Sequence, residues 1–288
     1  MMLRFLHYPL AFAQPRRVVD PLSWAEHIPF AFAVIQCHQP SLLVELGTHT
    51  GVSYSAFCQA VDSLLLPTKC YAVDTWEGDE HAGLYGEEVF QEFSEYHDQH
   101  YKSFSNLVRM KFDEALSYFT DGTIDLLHID GCHYYESVKH DFETWLPKIS
   151  ERGIVLLHDT FAKEKRFGAG LFFEELRSHY PVFEFTHSYG LGVVAVGGKV
   201  SEEPLWELFQ AGQEETVVIR RFFSILGSRI TLENELIKTQ GQLAEREAQI
   251  LELQNQKLEI QKHLQALENT FSWRLTKRLR WLRHALRR

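Results

Sequence analysis

Short apolar runs alternate with stretches of helical spacing along the first two thirds of the chain. Apolar runs bounded by turn residues predict buried strands, and apolar positions three or four residues apart predict helices. The predicted strands are residues 42–46, 69–74, 107–112, 124–130, 153–158, 182–187 and 191–196. The predicted helices are residues 21–38, 53–66, 86–98, 113–119, 134–146 and 169–179.

The order of these elements predicts the fold class. Five strands that alternate with helices are typical of an α/β protein with a doubly wound, mostly parallel sheet. The short turn at residues 188–190 makes the last two strands an antiparallel hairpin, so the sheet has seven strands. We therefore predict a helical lead-in at residues 1–40, with Asp20 as the N-cap of its helix, and a ligand-binding domain at residues 41–200.

A different pattern follows residue 200. Residues 201–229 are predicted to form a helical linker. In residues 230–271 the apolar side chains recur with the heptad spacing of a coiled coil, which predicts a homo-oligomer. The a positions are Leu236, Leu243, Ile250, Lys257 and Leu264, and the d positions are Leu232, Thr239, Arg246, Leu253, Ile260 and Leu267.

Residues 272–288 combine leucines with basic side chains. Four leucines recur at helical spacing, arginines lie between them, and Trp273 and Trp281 flank them. This pattern is typical of an amphipathic helix that lies on an anionic membrane. The alternatives are a disordered basic tail and a tail that binds RNA.

The charge of the chain is unevenly distributed. The formal net charge is −10, but residues 273–288 carry seven basic and no acidic residues, which leaves −17 for the rest. An acidic body argues against a nucleic-acid partner. We find no signal peptide and no apolar stretch of about 18 residues, and the four cysteines show no paired spacing. We therefore predict a cytoplasmic protein that contacts the inner face of the membrane through its tail.

A glycine turn follows the first predicted strand. Glu45 stands at the tip of the strand, and Gly47 and Gly51 follow it. Glycine lets backbone N–H groups approach a ligand closely because it has no Cβ. The spacing differs from the dinucleotide fingerprint, so a bound pyrophosphate is not the first interpretation. The residues predicted to contact a cofactor here are Glu45, Gly47, Thr48, His49, Gly51 and Ser53. An unrelated α/β turn is the alternative.

Several motifs resemble a known enzyme family over residues 40–197. Glu-Leu-Gly-x-x-x-Gly-x-Ser at the first turn resembles the catechol O-methyltransferase form of the first motif of class I S-adenosylmethionine methyltransferases. Asp-Gly-x-His-x-Tyr-Glu-x-Val, Trp-Leu-Pro-Lys and Gly-Ile-Val-Leu-Leu-His-Asp resemble macrocin-type sugar O-methyltransferases and cephalosporin-hydroxylase-like proteins. Ser-Trp-Arg-Leu-Thr in the tail resembles bacterial proteins that build surface polysaccharides.

The resemblance implies S-adenosylmethionine as the cofactor. An acid at the end of the second strand, Asp74, can hold both ribose hydroxyls, and Thr75 follows it. Phe112 and Asp113 follow the third strand, where this fold usually meets the adenine ring. For Asp74 and Asp113, a role as a helix N-cap is the alternative.

A second group of polar residues follows the fourth and fifth strands. Asp130, His158 and Asp159 are predicted to hold a divalent metal, Mg²⁺ or Mn²⁺. Relatives have an acidic pair at 158–159, so His158 is a departure. His133 follows Asp130 by three residues, the offset of the catalytic lysine in catechol O-methyltransferase, and a histidine suits proton removal. The alternatives are hydrogen-bonded histidines without a metal, and His133 as a helix cap.

The aromatic and acidic run at residues 76–85 is predicted to bind substrate through Trp76, Asp79 and His81, with a solvated loop as the alternative. Together these features predict a metal-assisted O-methyltransferase that acts on a sugar hydroxyl of a surface glycan or a glycosylated natural product. In this prediction Asp130 and His133 are catalytic. A metal-dependent hydroxylase on the same fold and a catalytically dead assembly factor are the alternative functions.

Overall fold

The computed structural model describes residues 8–79, 83–163 and 167–286. The chain divides into two compact units between Leu232 and Glu233. The first unit contains a seven-stranded sheet, and the second contains the greater part of a long helix together with two short ones.

The strand order confirms the predicted fold class. Seven strands form the main sheet in the order β5-β2-β1-β6-β7-β9-β8; the first five are parallel, and β9 pairs antiparallel with both β7 and β8. A separate ribbon of two strands, β3 and β4, lies in the aromatic and acidic run. The strands are β1 Leu42–Leu46, β2 Lys69–Asp74, β3 Gly78–Asp79, β4 Gly83–Leu84, β5 Ser105–Arg109, β6 Ile124–Ile129, β7 Ile149–His158, β8 Val182–Phe185 and β9 Leu191–Ala195.

The helices cover both faces of the sheet. They are α1 Ile28–His38, α2 Val52–Ser63, α3 Glu87–His100, α4 Phe112–Ala115, α5 Tyr135–Trp145, α6 Ala169–Leu176, α7 Trp206–Phe209, α8 Gln213–Glu268, α9 Phe271–Leu275 and α10 Lys277–Ala285. The first helix begins at Ile28 and not at Pro21, because a short 3₁₀ turn at Ala25–His27 precedes it and His27 is the N-cap. Helix α8 begins inside the predicted linker.

Two hydrophobic cores pack on opposite faces of the sheet because successive side chains of a strand alternate. In β1, Leu43 lies in the core that contains α1 and α2, whereas Val44 and Leu46 lie in the core that contains α5 and α6. A strand that is buried on both faces has a nearly continuous apolar sequence. The sequence pattern therefore predicted the position of β1 correctly.

Arg17 ties the lead-in segment to the turn after β1. Its side chain is buried; Nε donates to the carbonyl oxygen of Thr50 at 2.9 Å, and the guanidinium forms a bidentate pair with Glu92. The guanidinium also lies 4.8 Å above the ring of Tyr96. A bidentate, ring-stacked arginine holds its partners in one orientation, so the lead-in closes one side of the turn.

Helix α8 changes its surroundings along its length. Its beginning belongs to the first unit, where Ile219, Phe223 and Ile230 are buried. A Cβ at Gly227 would lie 2.2 Å from the carbonyl oxygen of Glu26. From residue 235 to residue 270 every residue is exposed. Within the described residues, none of the helices has both the length and the apolar character needed to cross a bilayer.

Asp141 on α5 generates a prediction about stability and pH. The residue is 7% exposed; burial, with a smaller contribution from Asp113, raises its pKa to about 7 against the opposing effect of His140. Because the folded state then holds a proton that the unfolded state has lost, stability should fall as pH rises from about 4 to 7. The substitution Asp141→Asn should remove part of this fall.

The expected gain from Asp141→Asn at pH 8 is on the order of 2 kcal/mol, about half of what a full shift would give at about 1.4 kcal/mol per pKa unit. Urea unfolding at several pH values measures it. Glu143→Gln on the same helix is the matched control, because its carboxylate is 60% exposed and should leave the pH dependence unchanged. An equal effect of both substitutions would contradict the prediction.

Candidate active site at the carboxyl ends of the strands

A cavity of about 530 Å³ opens at the carboxyl ends of the parallel strands. The turn after β1 and the tips of β2, β6 and β7 form its floor, as the fold class predicts. Predicted site residues that line the cavity are Gly47, Thr48, His49, Asp74, Thr75, Asp130, His133, His158 and Asp159. The sequence analysis therefore identified residues that the fold brings together from four segments.

The turn after β1 requires glycine. Gly47 has φ +86°, and an added Cβ would lie 2.2 Å from the carbonyl oxygen of Asp130. Its N–H donates to the carbonyl oxygen of Val73 at 3.0 Å, so the turn is held between β2 and β6. Gly51, with φ +75°, precedes α2 and would place a Cβ 2.0 Å from the ring of Phe93.

Asp74 fastens this turn from the tip of β2. Its Oδ2 accepts hydrogen bonds from the N–H groups of Thr48 and His49 at 2.7 and 2.9 Å, and its Oδ1 accepts one from the N–H of Trp76 at 2.8 Å. Three backbone donors on one buried carboxylate give the turn a fixed shape. The predicted contact with ribose hydroxyls stays a prediction, but the carboxylate also has this structural role.

Glu45 does not reach the cavity, contrary to the predicted cofactor contact. Strand alternation points its side chain into the core beside α1 and α2, where it is 0% exposed. Its Oε2 lies 2.8 Å from Nδ1 of His128, and Nε2 of His128 accepts a hydrogen bond from the Trp24 indole at 3.1 Å. Burial raises the pKa of Glu45, and hydrogen bonds from His128 and Ser53 oppose that rise. Ser53, also buried, belongs to this inner network and not to the cavity lining.

Four polar side chains meet at the tips of β6 and β7. Nδ1 of His158 lies 3.0 Å from Oδ1 of Asp130 and 3.2 Å from Oδ2 of Asp159. Nδ1 of His133 lies 3.0 Å from the same oxygen of Asp159. His133 precedes the N-cap of α5, which is Tyr134, so it does not cap that helix. His158 thus bridges the two carboxylates, and His133 pairs with Asp159.

The charges in this cluster stabilise one another. Burial alone would lower the pKa of His158, but the carboxylates of Asp130 and Asp159 raise it to about 10. Burial alone would raise the pKa of Asp130, but His158, His128 and His133 hold it well below its usual range. At neutral pH a protonated His158 therefore lies between two carboxylates.

The role of His158 as a metal ligand stays a prediction. Its Nδ1 lies within 3.2 Å of carboxylate oxygens of Asp130 and Asp159, the two residues predicted to share the ion. Its other face packs against the rings of Trp24 and His27. The donor atoms that do lie close together, within 4.8 Å of one another, belong to Asp130, His133 and Asp159.

Of the three residues predicted to bind substrate, two lie in the described part of the chain. Trp76 is 1% exposed; its Nε1 donates to the carbonyl oxygen of His49 at 2.9 Å, and its ring packs 4.9 Å from Phe90, so it presents no face to a ligand. The backbone of Asp79 pairs with Gly83. His81 lies outside the described residues.

Asp113 lies outside the cavity lining as well. It is exposed and forms an ion pair with His140 at 3.0 Å, and the N-cap of α4 is Lys111. The preceding residue, Phe112, lines the cavity instead and packs so closely on Gly131 that a Cβ there would lie 2.6 Å from its ring. The segment after β5 therefore contributes the aromatic side chain of Phe112 to the cavity and not the carboxylate of Asp113.

Other walls of the cavity were not predicted. Pro21 and Ser23 come from the lead-in, Tyr85 follows β4, and Phe167 and Tyr189 follow β7 and β8. Tyr85 stacks on His49 with ring centroids 4.6 Å apart, and it belongs to the aromatic run that the sequence did single out. The remaining four carry no local signal, because only the folded chain brings them to the strand tips.

Comparison with known proteins agrees with this geometry. Residues 44–160 match a family model described as a methyltransferase domain, a range that contains the glycine turn and the whole acidic cluster. The match supports the predicted S-adenosylmethionine-dependent methyltransferase domain. A curated relative, the uncharacterized protein y4gI of Sinorhizobium fredii, is 44% identical over 200 residues, which are 69% of this chain and 22% of the relative. The chain thus spans about a fifth of that relative's length.

Two solved structures are also similar. A putative caffeoyl-CoA O-methyltransferase from Staphylococcus aureus is 15% identical, with 62% of this chain and 84% of that chain covered and a TM-score of 0.48. The O-methyltransferase TomG from Streptomyces achromogenes, solved with S-adenosylmethionine, is 13% identical, with 68% and 89% covered and a TM-score of 0.46.

The close approach of Gly47 to Asp130 generates a second prediction. Gly47→Ala should cost on the order of 3 kcal/mol of stability or more, because the new Cβ meets backbone that cannot move aside. Gly122→Ala is the matched control: Gly122 also has a positive φ, +71°, but nothing lies within 4 Å of its Cβ position. It should cost about 1 kcal/mol. Equal losses in urea unfolding would show that backbone conformation alone requires Gly47.

Proposed function

We propose that this chain transfers the methyl group of S-adenosylmethionine to a hydroxyl group, and that the acceptor is a sugar. The observation that carries the proposal is the shared cavity, in which the glycine turn after β1 and the pair His133–Asp159 line one space of about 530 Å³. The family match over residues 44–160 supports the same activity. The sugar is inferred from the resemblance of the motifs and from the aromatic lining.

The cofactor side of the cavity is the turn after β1, of which Gly47, Thr48 and His49 line the cavity and Gly51 does not. Bound S-adenosylmethionine supplies a methyl group that is already activated for transfer. The backbone at Gly47 can approach a ligand because no Cβ intervenes, and Asp74 holds the neighbouring N–H groups in place. The aromatic rings of Phe112 and Tyr85 line the same cavity. These residues orient a ligand more than they react with it.

His133 is placed to take the proton of the acceptor hydroxyl. A carboxylate at Nδ1 makes that nitrogen the donor, so we assign Nε2 as the nitrogen that accepts the proton. Asp159 then stabilises the positive charge that the ring gains, as in other histidine–carboxylate pairs. Phe167 stacks on the imidazole at 4.7 Å with an interplanar angle of 20°, which fixes the ring plane.

A divalent ion could activate the hydroxyl in another way. Asp130, His133 and Asp159 would hold it, and their mixed oxygen and nitrogen donors fit Mn²⁺ better than Mg²⁺. Such an ion would lower the pKa of a bound hydroxyl. We infer that His133 is the base and not a ligand, because protonated His158 already supplies a positive charge between the two carboxylates.

The acceptor side also suits a sugar. Tyr189 and Phe167 give ring faces, and Ser23 and Asp130 give hydrogen-bonding groups for hydroxyls. The cavity lining combines aromatic rings with many polar side chains, which suits the ring faces and hydroxyl groups of a sugar. The acceptor is therefore proposed to be a single sugar unit, free or at the end of a glycan.

The third prediction tests the base. His133→Ala should lower transfer of labelled methyl groups to a sugar acceptor by about 10²–10⁴-fold, the usual contribution of a general base. Affinity for S-adenosylmethionine, measured by calorimetry, should hold because the turn after β1 is untouched. His140→Ala is the matched control, since this exposed histidine pairs with Asp113 outside the cavity.

Chelation separates the two ways of activating the hydroxyl. If His133 activates the hydroxyl without a metal ion, exhaustive treatment with EDTA should leave the wild-type rate unchanged. If the ion is required, EDTA should abolish transfer, and added Mn²⁺ should restore it in Asp130→Asn only in part. Near-normal turnover in His133→Ala would contradict the assignment of the base. Absence of labelled methyl transfer to any sugar would contradict the proposed function.

We also propose that α8 forms the oligomer interface. Its a and d positions from Leu232 to Leu267 follow the heptad pattern, and all residues from 235 to 270 are exposed in the single chain. Exposed leucines and isoleucines along one seam gain free energy when a second helix covers them. Arg246 and Lys257 interrupt the seam, so the association should be weaker than that of an uninterrupted zipper.

Two neighbouring residues give the fourth prediction a matched control. Ile250 occupies an a position and is 55% exposed, whereas Leu251 occupies a b position and is 59% exposed. Ile250→Asp should dissociate the oligomer, because it places a carboxylate in the seam, and Leu251→Asp should not. Light scattering measures the subunit number. Dissociation by neither substitution, or by both equally, would place the interface elsewhere.

A further inference from the structure

The segment from Phe271 to residue 286 has an apolar stripe that the coiled coil does not explain. Leu275, Leu279, Leu282 and Leu286 are between 49% and 85% exposed. At about 100° per residue these four leucines fall within an arc of about 60° on a helix. At the same helical spacing, the five lysine and arginine residues between Phe271 and residue 286 fall outside that arc.

This stripe is not a continuation of the heptad seam. Helix α8 ends at Glu268 and α9 begins at Phe271, and continued heptad spacing would place Arg274, Trp281 and Ala285 at a and d positions. The leucines at 275, 279, 282 and 286 fall at e and b positions instead. A second copy of the helix that covers the seam would therefore leave the leucines exposed. The surface that covers these leucines therefore differs from the helix that pairs with α8 in the coiled coil.

Hydrogen bonds and a cation–π contact fix the side chains of two arginines in the segment. The guanidinium of Arg280 lies 3.5 Å above the ring of Trp273, donates to the carbonyl oxygen of Trp273 at 2.5 Å and donates to Thr276 Oγ1 at 2.8 Å. Arg274 donates to the side chain of Asn269 at 3.1 Å. The ring of Trp273 therefore packs with Arg280, and the four leucines form the continuous apolar stripe of the segment.

We infer that helices α9 and α10 bind flat on an anionic lipid bilayer, with the leucine arc inserted among the lipids and the basic side chains against the headgroups. Charge complementarity supports this occupant: seven basic and no acidic residues within residues 273–288 face a surface of negative charge. The segment is too short and too basic to cross the bilayer, which agrees with the absence of a spanning helix among the described residues.

The combination of features favours lipid over nucleic acid. A nucleic-acid backbone attracts basic side chains, but it gives four exposed leucines no apolar environment. A bilayer accommodates both faces of the same helix. The inference is independent of the proposed methyl transfer, since no residue of the cavity takes part. Its consequence is that the chain would bind at a membrane surface whatever its catalytic activity.

The test is flotation of the full chain with vesicles. Binding is expected to vesicles of phosphatidylglycerol mixed with phosphatidylcholine, and not to pure phosphatidylcholine. Raising NaCl to about 1 M, where the Debye length falls to about 3 Å, should weaken it strongly. Replacing Lys277 and Arg283 by Gln should weaken it by about fivefold for each residue.

The leucine arc has its own variants. Leu279→Ser with Leu282→Ser should lower vesicle binding by about tenfold or more, because two inserted side chains are lost. His284→Ser is the matched control: it lies opposite the arc on the same helix and should bind as the wild type does. Light scattering should show the same subunit number for all variants, because the seam of α8 is unchanged.

Four outcomes of these experiments would overturn the inference. Unchanged flotation of the double leucine variant would mean that the arc is not inserted. Binding to poly-uridine RNA without binding to vesicles would make nucleic acid the ligand. Binding to vesicles that rises with salt would indicate that the basic segment pairs with acidic groups of the protein itself. Absence of binding to either kind of vesicle would leave no role for a lipid surface.

Discussion

The structure depends on one close approach, between Gly47 at the end of β1 and the backbone of Asp130 at the end of β6. A side chain at Gly47 would lie 2.2 Å from the carbonyl oxygen of Asp130, so only glycine lets the two adjacent strand tips come together. The N–H of Gly47 bonds to Val73 on the other side, and Asp74 fixes the next two N–H groups. The cofactor turn and the acidic cluster therefore share one cavity.

The acidic cluster is stable because its charges alternate. Asp130 and Asp159 would repel each other at neighbouring strand tips, but protonated His158 lies within 3.2 Å of both. Asp159 is then still able to accept from His133 and to orient that ring toward the cavity. His158 thus bridges the two carboxylates while Asp159 stays paired with His133.

The sequence alone was sufficient to predict the structural features that depend on local sequence pattern. Strands β1 and β2 were predicted to the residue, and Asp74, Asp130, His133 and Asp159 were expected at one edge of the sheet because parallel strands end on the same side. Side-chain direction was not predictable: Glu45 turns into the core, and Trp76, which was predicted to bind substrate, is buried. Ser23 and Tyr189 reach the cavity from distant segments.

The most direct test of the account is calorimetric titration of the full chain with S-adenosylmethionine, in the presence and absence of EDTA. The account predicts saturable binding of one ligand per chain, with the same affinity in both conditions, because the turn after β1 holds the cofactor without a metal ion. NAD should produce no saturable heat, since the turn lacks the dinucleotide spacing. A folded chain that shows no saturable heat with S-adenosylmethionine would contradict the central claim.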